Sequence, residues 1–156
     1  MKFEETLAIR LRAAYLHLHR SANRHFRMFD ATADQYAVMT CLAEESGLTQ
    51  QDLVKRLASD KRTINKMVDL LEEKGHIERQ HHPDDGRAWA LFLTPAGKLH
   101  QRELWNSAAY LRDYLENAVP PEQIDIVLDC LAAMSRALDP AELAEEIAKH
   151  SPAATI

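Results

Sequence analysis

The sequence predicts a mainly α-helical fold carrying one small β-hairpin. Three observations support that reading. Only 4 Gly and 6 Pro occur in 156 residues, so turns are few and regular elements long. Aromatic residues are sparse, at 6%, and apolar residues recur at three- and four-residue steps, the spacing that keeps side chains on one face of a helix. One place breaks that rhythm: two short apolar runs joined by a polar turn follow Gly75.

The first element is a long helix over residues 4–28. Leu7, Leu11, Ala14, Leu18, Ala22 and Phe26 form its narrow apolar stripe, too long for the surface helix of a small core. Asp30 to Asp34 is a break offering several caps. A second helix, Ala33 to Glu45, turns Tyr36, Met39, Leu42 and Ala43 inward and ends at Ser46-Gly47. Leu48-Thr49 leads into a third helix over 50–57, with Leu53, Val54 and Leu57 inward. Thr49 and Asp52 make a capping pair, because the hydroxyl can accept a free backbone N–H of the first turn.

After a tight turn at 58–60, a helix over 61–74 carries Ile64, Met67, Val68 and Leu71 on one side. It stops at Gly75, a residue suited to a left-handed cap. Strands at 77–81 and 88–93 are linked by the turn-forming run His82 to Arg87. Thr94 then caps, and Pro95 opens, a helix reaching about Asn117. A further helix over 121–138 carries Ile124, Val127, Leu128, Leu131 and Met134. Asp139-Pro140 breaks it before a short acidic helix at 141–149.

Composition excludes several classes. Charges at Lys2, Glu4, Glu5, Arg10 and Arg12 interrupt any apolar leader. No run approaches the roughly 20 apolar residues of a membrane helix, so no membrane partner is expected. Cys41 and Cys130 lie far apart among apolar neighbours, which reads as two buried small hydrophobes in a cytoplasmic protein. The net charge of −5 argues against indiscriminate nucleic-acid binding. Yet residues 55–66 hold five bases (Lys55, Arg56, Lys61, Arg62 and Lys66) against Asp60 alone. A local basic face on an acidic body suits contact with phosphate on one side only.

Helix, turn, helix and hairpin in that order describe a winged helix-turn-helix. A helix fits the major groove of DNA, where each base pair presents a distinct pattern of donors and acceptors. The 61–74 helix is the reader: Lys61, Arg62, Asn65 and Lys66 occupy its exposed face, with Thr63 near the start. Arg or Lys suits guanine, and Asn suits adenine. Arg87, beside Asp85 at the hairpin tip, can enter a narrow minor groove.

The run Leu53 to Arg79, followed by Pro83 to Lys98, resembles the helix-turn-helix and wing of the multiple-antibiotic-resistance regulator (MarR) family. A Leu-Glu-Glu-Lys-Gly run, an Asp-x-Arg-Ala wing and a Leu-Thr-x-x-Gly exit into a long helix occur together and in order. The resemblance covers roughly residues 30–115 by motif. It implies a winged helix-turn-helix lobe over 33–95, flanked by N- and C-terminal dimerisation helices at 4–28 and 96–138, with a short tail at 139–156. It further implies a sequence-specific transcriptional regulator, of repressor type, working as a homodimer on double-stranded DNA.

On that resemblance, Thr49, Gln50, Lys61, Arg62, Thr63, Asn65, Lys66, Asp85 and Arg87 face DNA. Leu7, Leu11, Ile124, Val127, Leu131 and Met134 lie in the dimer interface. Two-fold symmetry implies a pseudo-palindromic operator. The chain departs from the family in placing Arg62 where small hydroxyl residues are common, so its operator is expected to differ. The family also implies release by a small-molecule effector such as a phenolic or aromatic acid. Arg10, His17, His19, Arg24 and Trp105 are the candidate contacts, although lone His and Arg residues on a helix more often sit at a surface.

Other chemistry has less support. The family's peroxide sensors place a cysteine in the first helix, which has none here. The eight histidines show no pair at metal-ligand spacing, although His25 and His100 could meet other ligands in space. No metal or cofactor is expected. No phosphate loop, nucleophile elbow or zinc-hydrolase motif is present, so the chain does not read as an enzyme. The alternative is a winged-helix protein-interaction module with little DNA affinity.

Overall fold

Four helix starts are fixed by side chains that satisfy the free N–H groups of the first turn. In the computed structural model, which describes residues 2–82, 84, 86 and 88–150, helix α1 spans Leu7–Phe26 and α2 spans Ala33–Glu44. Among the candidates between Asp30 and Asp34, Thr32 is the cap: Gln35 N–H donates to its hydroxyl at 3.1 Å, and the Gln35 carboxamide accepts from Thr32 N–H. Strand β1 (Leu48–Thr49) leads into α3 (Gln50–Arg56), where Thr49 and Asp52 form the expected reciprocal box. Asp60 caps α4 (Lys61–Glu73), and Thr94 caps α5 (Pro95–Ser107). Strands β2 (Ile77–His81) and β3 (Trp89–Leu93) lie between them.

The sheet order is β1-β3-β2, antiparallel throughout, with Leu48 opposite Leu91 and His81 opposite Trp89. The strand β1 was not expected. It is two residues long, too short for alternation to show, and only its pairing with β3 defines it. The first helix is also shorter than 4–28. Thr6 is extended, and after Phe26 a single 3-10 turn over Arg27–Phe29 closes on Asp30 in left-handed backbone, φ 53°.

The chain divides into two units, one up to Tyr110 and one from Leu111. The core of the first gathers Val38, Met39 and Leu42 of α2, Leu53 of α3, Ile64, Val68 and Leu71 of α4, the strand residues Ile77, Leu91 and Leu93, and Leu104 of α5. Tyr36 is only half-buried and Ala43 is exposed; Gln35 and Val38 take the inward places on α2 instead. Helix α1 buries His25 and Phe26 near its end, whereas Leu7 and Leu18 are 64% and 45% exposed.

The helix expected from Thr94 to Asn117 is two, α5 and α6 (Ala109–Glu116), separated at Ala108. The Ser107 hydroxyl donates to Leu104 O at 2.9 Å and meets His25 Nε2 at 2.9 Å. A hydroxyl that engages a backbone carbonyl in this way competes with the helix ladder. The second unit holds α7 (Ile124–Ala137) and α8 (Pro140–His150). Helix α7 has no buried residue: Ile126, Val127, Leu128 and Leu131 are all exposed.

Gly97 sits where a Cβ would lie 1.9 Å from the His76 carbonyl oxygen, a backbone atom that also accepts from Thr94 N–H. Gly75 has open space around it but a φ of +71°. Gly97→Ala is therefore expected to cost more than about 3 kcal/mol or to abolish folding, and Gly75→Ala about 1–2 kcal/mol. Gly86→Ala, at an open position, is expected to be near neutral. Urea unfolding of the three variants checks this order.

Candidate nucleic-acid interface

Helix α4 is oriented by its apolar stripe. Ile64, Val68 and Leu71 are buried, and at about 100° per residue Arg62 and Lys66 stand nearly opposite them. Arg62, Lys66 and, on the flank, Lys61 are exposed. Thr63 is half-buried and works in the cap: its N–H donates to Asp60 Oδ1 at 2.8 Å and its hydroxyl donates to Asp60 Oδ2 at 2.7 Å. Asn65 is half-buried, and its Oδ1 is sealed from solvent with no hydrogen-bond partner among the described residues.

The basic charge is confined to the first half of α4. Further along, Asp69 and Glu72 are both engaged by Arg79 of β2, the latter at 2.9 Å. Arg56 of α3 is paired with Glu45, which leaves Lys55, Lys61, Arg62 and Lys66 as the exposed cations of this region with no ion pair described. Thr49 and Gln50 are half-buried at the start of α3, and the Thr49 hydroxyl is occupied by Asp52 at 2.7 Å. Asp85 and Arg87 lie outside the described residues.

Carboxylates that cap are held in their charged form. Hydrogen bonds from the backbone N–H and hydroxyl of Thr63 lower the pKa of Asp60, and those of Thr49 do the same for Asp52. One feature not anticipated from the sequence lies on the hairpin. The rings of His81 and Trp89 stack at 4.2 Å, with Trp89 46% exposed. The hairpin register could have shown it, since these residues are directly opposed.

The effector candidates are not brought together. Arg10, His17 and Arg24 are exposed along one face of α1, whereas His19 is half-buried and stacked on Tyr15. Trp105 alone of the five lines an open cleft of about 280 Å³ between α2 and α5, with Thr40, Ala43, Glu44, Gln101 and Arg102. His25 is buried, with Tyr110 Oη 3.1 Å from Nδ1 and Ser107 on its other nitrogen. His100 stacks on His76 at 4.5 Å, and burial followed by the nearby His100 lowers the His76 pKa. Among the described residues no three His, Cys, Asp or Glu side chains gather to hold a metal ion, and no helix is long and apolar enough to cross a membrane. Cys41 is half-buried, with its thiol pushed up by burial. Cys130, expected inside, is exposed, as are its neighbours Leu128 and Leu131 on α7.

A short helix bracing a second helix with an outward basic face, and a hairpin returning beside it, define a winged helix-turn-helix domain. Residues 31–89 match the model of the MarR family. The transcriptional regulator HosA of Escherichia coli O111:H- is 36% identical over 69 residues, covering 44% of this chain and 51% of HosA. The chain thus spans about half the length of the curated relatives it matches. Among solved structures, Staphylococcus aureus MepR in complex with DNA aligns with a TM-score of 0.78 at 22% identity, covering 88% of this chain and 100% of MepR. Bordetella bronchiseptica BpsR, whose DNA binding is regulated by 6-hydroxynicotinic acid, aligns with a TM-score of 0.78 at 24% identity, covering 86% and 96%. These relatives are regulators rather than enzymes.

The lowered pKa of Asp60 gives the start of α4 a pH dependence. A depressed carboxylate contributes stability above its unfolded value, near pH 4, and loses it as pH falls through the lowered folded value. Hydrogen-exchange protection of the Thr63 amide is expected to fall below about pH 4 before that of the core amides. Asp60→Asn, which still caps, is expected to flatten that dependence.

Proposed function

We propose that this chain is a sequence-specific DNA-binding transcriptional regulator of repressor type, acting as a homodimer on a pseudo-palindromic operator. The observation that carries the reading is the exposed basic first half of α4, held outward by a buried stripe and flanked by a hairpin. The DNA complex of MepR, on the same fold, supports it. A second copy is the natural cover for the apolar faces of α1 and α7, where Leu7, Leu18, Val127 and Leu131 stand exposed in the single chain. Asp85 and Arg87 are proposed to place the wing on the minor groove.

The proposed effector is a small aromatic acid taken up in the cleft between α2 and α5. There Arg102 offers a cation and Trp105 a ring face beside the polar Gln101. The regulation of BpsR by 6-hydroxynicotinic acid supports that chemistry. Release follows only if the ligand binds the DNA-free arrangement more tightly than the DNA-bound one.

Selection of bound duplexes from a random pool is expected to return a pseudo-palindrome, with affinity falling by several log units per log unit of salt. Arg62→Glu with Lys66→Glu is expected to abolish binding while sedimentation still reports a dimer. Arg62→Ala is expected to weaken operator binding by about 5- to 100-fold and to relax the base preference at one position. An interaction module would show no selected sequence and no effect of these charges. Leu131→Asp is expected to yield monomers by sedimentation and to lose operator binding with them.

A further inference from the structure

Trp89 is the largest apolar side chain on the hairpin and nearly half exposed, although it belongs to the sheet face that builds the core. Ile77, Leu91 and Leu93 share that face and are buried; Arg79, in the same row, reaches Asp69 and Glu72 of α4. Strand β2 is therefore tied to α4 through Arg79, and the next residue on this face is His81, opposite Trp89 on β3. Its ring is stacked on Trp89 at 4.2 Å with an interplanar angle of 28°. A flat imidazole–indole platform thus stands on the hairpin, one place along this face of β2 from the Arg79 that is paired with α4.

A helix seated in a major groove and a hairpin laid over the neighbouring minor groove straddle one ridge of sugar and phosphate. The platform stands on the hairpin, one of the two elements that would flank that ridge. Its chemistry fits: the indole face packs against deoxyribose, and an imidazole N–H donates to a phosphate oxygen. The exposed cations of the same lobe, Lys66 and Arg62 on α4, favour an anionic partner over a basic one. Stacking also spares His81 some ordering on contact, because its ring is already held flat against Trp89.

We infer that the His81–Trp89 stack is a second DNA contact, a backbone clamp that grips the sugar–phosphate ridge between the two grooves irrespective of base sequence. The inference rests on the DNA-binding reading above and goes beyond it in assigning affinity, not specificity, to these two residues.

The test titrates the full chain, Trp89→Ala, Trp89→Phe and His81→Ala against the selected duplex and a scrambled duplex of equal length. Tryptophan emission and affinity are both followed. Trp89→Ala and His81→Ala are expected to weaken both duplexes equally, by about two- to tenfold, and Trp89→Phe to restore most of the Trp89→Ala loss. Part of the DNA-induced emission change should vanish in Trp89→Phe. Duplex binding with unchanged affinity in Trp89→Ala and no emission change assignable to Trp89 overturns the clamp and leaves the DNA reading standing. A loss confined to the selected duplex overturns the backbone assignment. If the unmodified chain binds neither duplex, the DNA reading fails and the clamp with it.

Discussion

The burial of Ile64, Val68 and Leu71 fixes the rotation of α4 about its own axis, and the remaining features of the site follow from that rotation. Each of these side chains contributes about 1.5–3 kcal/mol by leaving water. A slip of one residue turns the helix by about 100° and swings charged side chains toward a dry core, where an unpaired charge is strongly disfavoured. The stripe that holds the lobe together therefore also aims Arg62 and Lys66 at solvent. Both ends of the helix are pinned: Asp60 satisfies its start, and beyond its end the His76 carbonyl accepts from Thr94 N–H while packing against Gly97.

Charge layout follows the same logic. The chain is acidic overall, yet the cations of α4 precede its acids, and Arg79 neutralises Asp69 and Glu72 before they can oppose an approaching polyanion. Arg56 is diverted to Glu45, so not every cation in the 55–66 cluster is available to an anionic partner. A protein charged in this way is drawn to phosphate in one orientation and repelled in others, which favours correct docking over general adhesion.

Much of this was legible in the sequence because it is local. The caps at Thr49 and Thr94, the stop at Gly75 and the α4 stripe each depend on residues within one or two turns. What escaped depends on distant partners. Strand β1 exists only through Leu91 and Ala90, some forty residues away. The break at Ala108 goes with the Ser107 hydroxyl, which His25 holds from 82 residues earlier. Thr63 and Asn65 have the right identities for base reading, yet one hydroxyl is spent on Asp60 and one carboxamide oxygen faces inward; side-chain direction is not written in spacing alone. The exposure of Cys130 and of the apolar residues on α1 and α7 marks where one copy of the chain leaves its own helices uncovered.

The claim at the centre is that the outward face of α4 reads the major groove. Guanine N7 lies in that groove, so methylation interference on a bound duplex tests the claim directly. The expected result is interference at guanines in two symmetric half-sites about one helical turn apart. Strong sequence-specific binding that tolerates N7 methylation throughout the site would contradict it, because α4 could not then be seated where its buried stripe points it.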